Sequence, residues 1–174
     1  KMSDKVICPY CLGEHSPIFH LSSPPPDAAD CGKMEREFAK ARRQAIMAAA
    51  DNRLDAQQGG RAIVKYVSGA VDELVIDLWR RVAGEAAVGV DVVAVGGYGR
   101  AELCPYSDSD LLFLVPNADD ARVNGAIKTF SQTVWDSGAH LGHAVRTVKE
   151  ARNFARDNHQ ARTALLRSEE HTSE

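Results

Sequence analysis

The segment from Val92 to Leu114 constrains this chain more than any other stretch. An apolar run, Val92-Val93-Ala94-Val95, meets Gly96-Gly97. Ten residues later Asp108-Ser109-Asp110 opens a second apolar run, Leu111-Leu112-Phe113-Leu114. Short apolar runs bounded by turn-forming residues read as buried strands. Two such strands are not stable alone, so helices elsewhere in the chain must cover them.

Those helices are legible on both sides. Lys33 to Ala50 is rich in Ala, Glu, Lys and Arg, with Phe38, Ile46 and Met47 as sparse apolar positions, and reads as a mostly solvated helix. Gln57-Gln58-Gly59-Gly60 interrupts it. A second helix is expected from about Arg61 to Val82, with Ile63, Val67, Val71, Leu74, Val75, Leu78 and Val82 at helical spacing and Tyr66 and Trp79 as packing residues. Gly84 to Gly89 reads as a loop into a strand at Val90 to Val95. Beyond the second strand, Asn117 or Asp119 is the expected cap of a helix reaching about Asp136, with Val123, Ile127, Phe130, Val134 and Trp135 facing inward. Ser137-Gly138 closes it. Leu141 to Val148 reads as a third strand, and helical stretches fill Lys149 to Leu166. The order α, α, β, β, α, β, α, α makes an α/β (α+β) protein with a small mixed sheet and surrounding helices.

The two ends differ from this body. Residues 1–33 read as a loosely ordered or extraneous extension, because Pro24-Pro25-Pro26 excludes helix and central strand. Cys8, Cys11, His15, His20 and Cys31 carry the residue types of a zinc site, although the step from Cys11 to His15 is too short for a finger with its own helix. Residues 34–83 form the N-terminal helices and 84–166 the core. Arg167-Ser168-Glu169-Glu170-His171-Thr172-Ser173-Glu174 reads as an adapter-derived tail, which makes the chain a fragment by expectation.

With 174 residues, 44% of them hydrophobic, the chain is long enough for one domain with a real core. A formal net charge of −3 argues against a general nucleic-acid binder. No apolar run approaches the ~20 residues of a membrane span, and the N-terminus lacks a leader's charged-then-apolar plan. The four cysteines, three of them within the first 31 residues, build no disulfide framework across the domain. The cytoplasm is the expected compartment.

Asp108 and Asp110 are expected on one face of a strand, roughly 6–7 Å apart along the backbone. Carboxylates so placed repel unless a cation lies between them, and a hard oxygen-seeking ion such as Mg²⁺ meets that need while leaving positions for phosphate oxygens. Gly96 and Gly97, lacking Cβ, let backbone N–H groups approach a triphosphate. Separately each motif is weak, since Ser107-Asp108-Ser109-Asp110 also fits a polar turn. In tandem, ahead of a buried strand, they point to nucleotidyl transfer. The dinucleotide fingerprint fails at Glu102, and no Gly-Lys-Ser/Thr forms a P-loop.

Gly-Gly, ten residues and Asp-x-Asp resembles the DNA polymerase β-like nucleotidyltransferase superfamily. The fuller string Gly96-Gly97-Tyr98-Gly99-Arg100-Ala101-Glu102-Leu103-x-Pro105-Tyr106-Ser107-Asp108-x-Asp110-Leu111-Leu112 is similar to the N-terminal domain of the bacterial PII-protein uridylyltransferases. So are Val134-Trp135-Asp136-Ser137-Gly138, Leu141 to Thr147, and Asp157 with Thr163-Ala164-Leu165-Leu166; the likeness runs from about Phe38 to Leu166. The resemblance implies transfer of UMP from UTP to a tyrosine of a PII signalling protein, with Mg²⁺ or Mn²⁺. It implies Asp108 and Asp110 as catalytic metal ligands, and Gly96, Gly97, Arg100 and Ser107 as nucleotide- and phosphate-binding positions. Arg100 suits bidentate phosphate contact; an ion pair with Glu102 that shapes the loop is its other reading. His143 and Arg146 are placed near the border of the site. Ser109 departs from the apolar residue usual between the two carboxylates. A third carboxylate is implied on a later strand, and Glu150 and Asp157, the candidates, read as helix residues. The family's phosphohydrolase (HD) and glutamine-sensing (ACT) domains have no counterpart in these residues. Two alternatives stay open: another nucleotidyltransferase of the same fold, and a non-catalytic nucleotide-binding or regulatory module.

Overall fold

A computed structural model describes residues 6–7, 14–15, 28–158, 162–163 and 169–171, with side chains described from Gly32 to Asn158 and at residues 162–163. Two short strands, β1 (Val6–Ile7) and β2 (Glu14–His15), pair antiparallel near the N-terminus. The side chains of Cys8, Cys11, His15, His20 and Cys31, named for zinc, lie outside the described residues.

Helix α1 spans Ala28–Asp55, starting before the expected Lys33 and running past Ala50. Its early start has a local cause: the proline run ends at Pro26, and Ala28, Ala29 and Asp30 carry no obstacle to helix. Gln57 turns the chain at φ 54°, and α2 (Gly60–Ala83) runs back along α1. Its buried stripe contains Ile63, Val67, Val75, Leu78 and Trp79, with Val71 and Val82 partly buried, as the spacing predicts. The expected loop after it is a single 3-10 turn, Gly84–Ala87, entered through Gly84 at a positive φ of 50°.

Strand β3 (Asp91–Ala94) pairs antiparallel with β4 (Ser109–Leu114), and β4 pairs in parallel with β5 (Leu141–Arg146). Helix α3 (Ala121–Asp136) makes the crossover between the parallel strands. Its cap is Asp120, rather than the expected Asn117 or Asp119: the Asp120 carboxylate accepts from the Arg122 and Val123 backbone N–H groups. Asn117 instead takes the Asp119 N–H in the preceding turn. Helix α4 (Val148–Asp157) follows β5, and β6 (Glu169–His171) lies antiparallel along β3, giving the order β5-β4-β3-β6. The fold is therefore α+β with a small mixed sheet, as expected.

Strand alternation divides the sheet into two faces. Val92, Ala94, Leu111 and Phe113 point toward α1, α2 and α3 and join one large core. At its centre Trp79, Phe113 and Phe130 stack with ring centroids 5.2, 5.7 and 5.8 Å apart, two of the three pairs edge to face. Trp135, expected inward, is 45% exposed, and its indole N–H donates to the Leu141 carbonyl. The opposite face carries Val93, Leu112, Leu114 and Ala144, covered by Ala151 of α4.

Candidate active site

The glycine turn is built on its own carbonyls. Gly97 O accepts from the N–H groups of Arg100 and Glu102, Tyr98 O from that of Ala101, and Val95 O from that of Gly99. This closes a 3-10 turn over Tyr98–Arg100. Gly96 sits at φ +66°, which a residue without Cβ adopts at no steric cost. Arg100 takes the loop-shaping role: its Nε donates to Glu102 Oε2 at 2.9 Å and its Nη1 to the Gly96 carbonyl at 2.8 Å. Its Nη2 lies beside Gly97, 3.7 Å from where a Cβ would stand.

The loop from the glycine turn to the aspartates is fastened to the helical layer at two points. The buried Ser68 hydroxyl of α2 accepts the Leu103 N–H at 3.0 Å and donates to the Val64 carbonyl at 2.9 Å. The Tyr106 hydroxyl donates to Asp51 of α1 at 3.3 Å, with Tyr106 itself at φ +66°. Between loop and helices lies a cavity of about 60 Å³, lined by Ile46, Val71, Leu78, Leu103, Ser107 and Ser109 among others. Ser107, named for phosphate, borders this cavity but is exposed, and its hydroxyl donates to the Cys104 carbonyl. The serine between the carboxylates also has its place here: Ser109 borders the cavity where an apolar residue would pack.

Strand β4 begins at Ser109, so Asp108 stands just ahead of it rather than on it. Its carboxylate is exposed and lies 3.6 Å from Nδ1 of His140, while the Ser109 N–H donates to the His140 carbonyl. Asp110 is on the strand, exposed, on the face shared by Leu112 and Leu114 and away from the main core. The Val95 N–H donates to its carbonyl, which ties β4 to the glycine turn. Its Oδ2 lies 3.7 Å from the position of a Cβ on Gly96. A Cβ on Gly142, its register partner on β5, would overlap Oδ1. The structure thus brings Gly96 and Asp110 together and sets Asp108 at the same end of the sheet.

The remaining expected residues lie elsewhere. His143 is on the helix-facing side of β5, near Ser131 Oγ (3.4 Å) and against the rings of Phe113 and Trp135. Arg146 is at the far end of β5, stacked over Phe154 at 3.9 Å. Glu150 closes a capping box at the start of α4, accepting from the Thr147 N–H and hydroxyl, and the backbone bond holds its carboxyl below the ordinary range. Asp157 ends the same helix. Among the described residues no group of three His, Cys, Asp or Glu is placed to hold a metal ion. Sequence reasoning missed His140 and Gly142. His140 immediately precedes β5 and Gly142 is its second residue, and only the parallel register of β4 and β5 brings them beside the aspartates.

The residues present suit a divalent cation in one respect. A carboxylate flanked on both sides by positions without Cβ keeps its oxygens clear of other side chains, which a hard ion with open coordination positions requires.

No protein-family model matches the chain. Curated relatives do. It is 36% identical over 153 residues to the bifunctional uridylyltransferase/uridylyl-removing enzyme of Ectopseudomonas mendocina, an alignment covering 82% of this chain and 17% of that protein. The protein of the same name from Pasteurella multocida is 42% identical over 95 residues (55% of this chain, 11% of the relative), and that of Pseudomonas aeruginosa 35% over 129 residues (74% and 14%). The chain therefore spans less than a fifth of the length of these relatives. The likeness read from the motif string extends through most of the chain, which is similar to a portion of these bifunctional uridylyltransferases.

Proposed function

We propose that this chain is the nucleotidyl-transfer portion of a PII uridylyltransferase, an enzyme that moves UMP from UTP to a tyrosine hydroxyl of a PII-type signalling protein. In that reaction the tyrosine oxygen bonds to the α-phosphorus of UTP, the bond to the β-phosphate oxygen breaks, and pyrophosphate leaves. The observation that carries the reading is the meeting of Asp110 with Gly96 at one end of the sheet, in a chain whose relatives bear the name uridylyltransferase.

Asp108 and Asp110 would hold Mg²⁺ or Mn²⁺, and such an ion, when bound, lowers the charge of the phosphates and favours the attacking oxygen. Gly96 and Gly97 would give the triphosphate close access to backbone N–H groups. Arg100 already orients the turn through Glu102 and the Gly96 carbonyl, leaving Nη2 for a phosphate oxygen. Ser107 would reach phosphate only by exchanging its bond to Cys104. The cytoplasm is the proposed compartment; among the described residues no helix is long and apolar enough to cross a membrane.

The test is calorimetry of UTP binding with and without Mg²⁺, paired with transfer of label from α-labelled UTP to a PII-type protein. Mg²⁺-dependent binding and labelled PII are expected, both lost in Asp108→Asn. Absence of Mg²⁺-dependent UTP binding overturns the reading. A second reading, a nucleotide-binding module without catalysis, is favoured by the missing third acidic group among the described residues. Mg²⁺-dependent binding without transfer, unchanged by Asp108→Asn, would select it.

A further inference from the structure

Gly142 has no conformational reason to be glycine. It lies inside β5, where glycine weakens a strand, and its φ is not in the left-handed region that Gly84, Gly89, Gly96 and Gly138 adopt. Alanine fits such a backbone, so the reason must lie in what a side chain would meet. Outside its chain neighbours, the atoms within 4 Å of a Cβ on Gly142 belong to Asp110 alone: the carboxylate carbon at 3.5 Å and Oδ1, which the Cβ would overlap.

Register explains the contact. Along the parallel β4–β5 ladder the pairs on the open face are Asp110 with Gly142, Leu112 with Ala144 and Leu114 with Arg146. Of these, only the pair that includes the acidic residue has a partner without Cβ. The Asp110 carboxylate leans across β5 into that space with Oδ1, while Oδ2 faces Gly96. We infer that Gly142 is a positioning residue for the nucleotidyl-transfer site, whose missing Cβ sets the direction of the Asp110 carboxylate and so the geometry offered to a divalent cation. This inference rests on the functional reading above and extends the site to a third strand. A Cβ there would be accommodated by rotation of Asp110, because a short side chain yields before two backbones do. The fold would survive and the carboxylate would point elsewhere.

Mn²⁺ affinity of the chain, read by the loss of the free-ion paramagnetic resonance signal, tests this alongside thermal unfolding without metal. Gly142→Ala is expected to weaken Mn²⁺ binding at least about tenfold while Tm holds or rises. Asp110→Ala added to Gly142→Ala should cost little further affinity, because the two changes act on one carboxylate. Gly125→Ala, at an exposed α3 position with nothing within 4 Å of its Cβ, should leave Mn²⁺ binding unchanged. Gly142→Ala binding Mn²⁺ as the parent does would overturn the inference and leave the functional reading intact. A parent chain that binds no Mn²⁺ would overturn the inference, while the functional reading stands or falls with Mg²⁺-dependent UTP binding. Should Gly142→Ala fail to fold, recovery by Asp110→Ala supports the inference, and failure to recover refutes it.

Discussion

The two faces of the β3–β4–β5 sheet are made from alternate residues of the same strands, yet they are built to different ends. Toward α1, α2 and α3, Val92, Ala94, Leu111 and Phe113 are buried within a continuous core that includes the Trp79–Phe113–Phe130 cluster. On the other face Val93 and Leu112 are buried beneath Ala151, while Asp110 is exposed and Gly142 only partly buried. One residue step along β4 therefore separates Phe113, in the packed core, from the face that carries the acidic group. The packed face supplies the stability that lets the open face keep the exposed Asp110 carboxylate and a glycine within a strand. Rigidity on one side makes an accurate position possible on the other.

That contrast can be broken from either side. Phe113→Ala removes the centre of the aromatic cluster and should cost about 3–5 kcal/mol in denaturant unfolding, the largest effect expected here. On the open face, Asp110→Asn should lower the proposed metal-dependent transfer by at least about 100-fold, with Tm close to that of the parent. If Asp110→Asn destabilises as Phe113→Ala does, the faces are not separable in this way. Ser68→Ala probes the link between them. It leaves the buried Leu103 N–H without its acceptor, so a loss of about 1–3 kcal/mol is expected, together with a weakened site because the loop carrying Asp108 is held there.

The smallest effects belong to the helix caps. In Glu150 the backbone N–H of Thr147 holds the carboxyl below its ordinary range, and in Asp120 the N–H groups of Arg122 and then Val123 do the same. A carboxyl whose pKa is lower folded than unfolded stabilises the fold above the unfolded value and loses that contribution as pH falls through the folded one. Tm should therefore decline as pH drops below the ordinary carboxylate range, and Glu150→Gln should soften that decline. Thr147→Ala, which removes the capping hydroxyl, should lower Tm at neutral pH by only about 3 °C.

Much of this organisation can be read along the chain. The stripe from Ile63 to Leu78, the inward residues of α3 from Val123 to Phe130 and the apolar strands around Phe113 all follow periodicities that depend on neighbours three, four or two positions away. The tandem of Gly96-Gly97 and Asp108–Asp110 is equally local, which is why it carries the candidate site. Cap choice was less legible: Asn117, Asp119 and Asp120 are all capping types, and the backbone path selected Asp120. The role of Arg100 was open between phosphate and Glu102, and the turn geometry closed the second contact.

The amino-acid sequence by itself determined in outline the helices α1 to α3 and the strands β3 to β5, the apolar stripes that face their core, and the placing of the glycine pair after one strand and the acidic residues at the start of the next. Those properties arise from short-range sterics and hydrophobic spacing. Only the tertiary structure decided that Gly142 stands beside Asp110 and His140 beside Asp108, and that His143 lies against Phe113 and Trp135. These depend on the parallel register of β4 with β5, which is set when α3 carries the chain across the sheet and buries Phe130 against Phe113. A shift of one residue in that register would turn the opposite side of β5 toward Asp110.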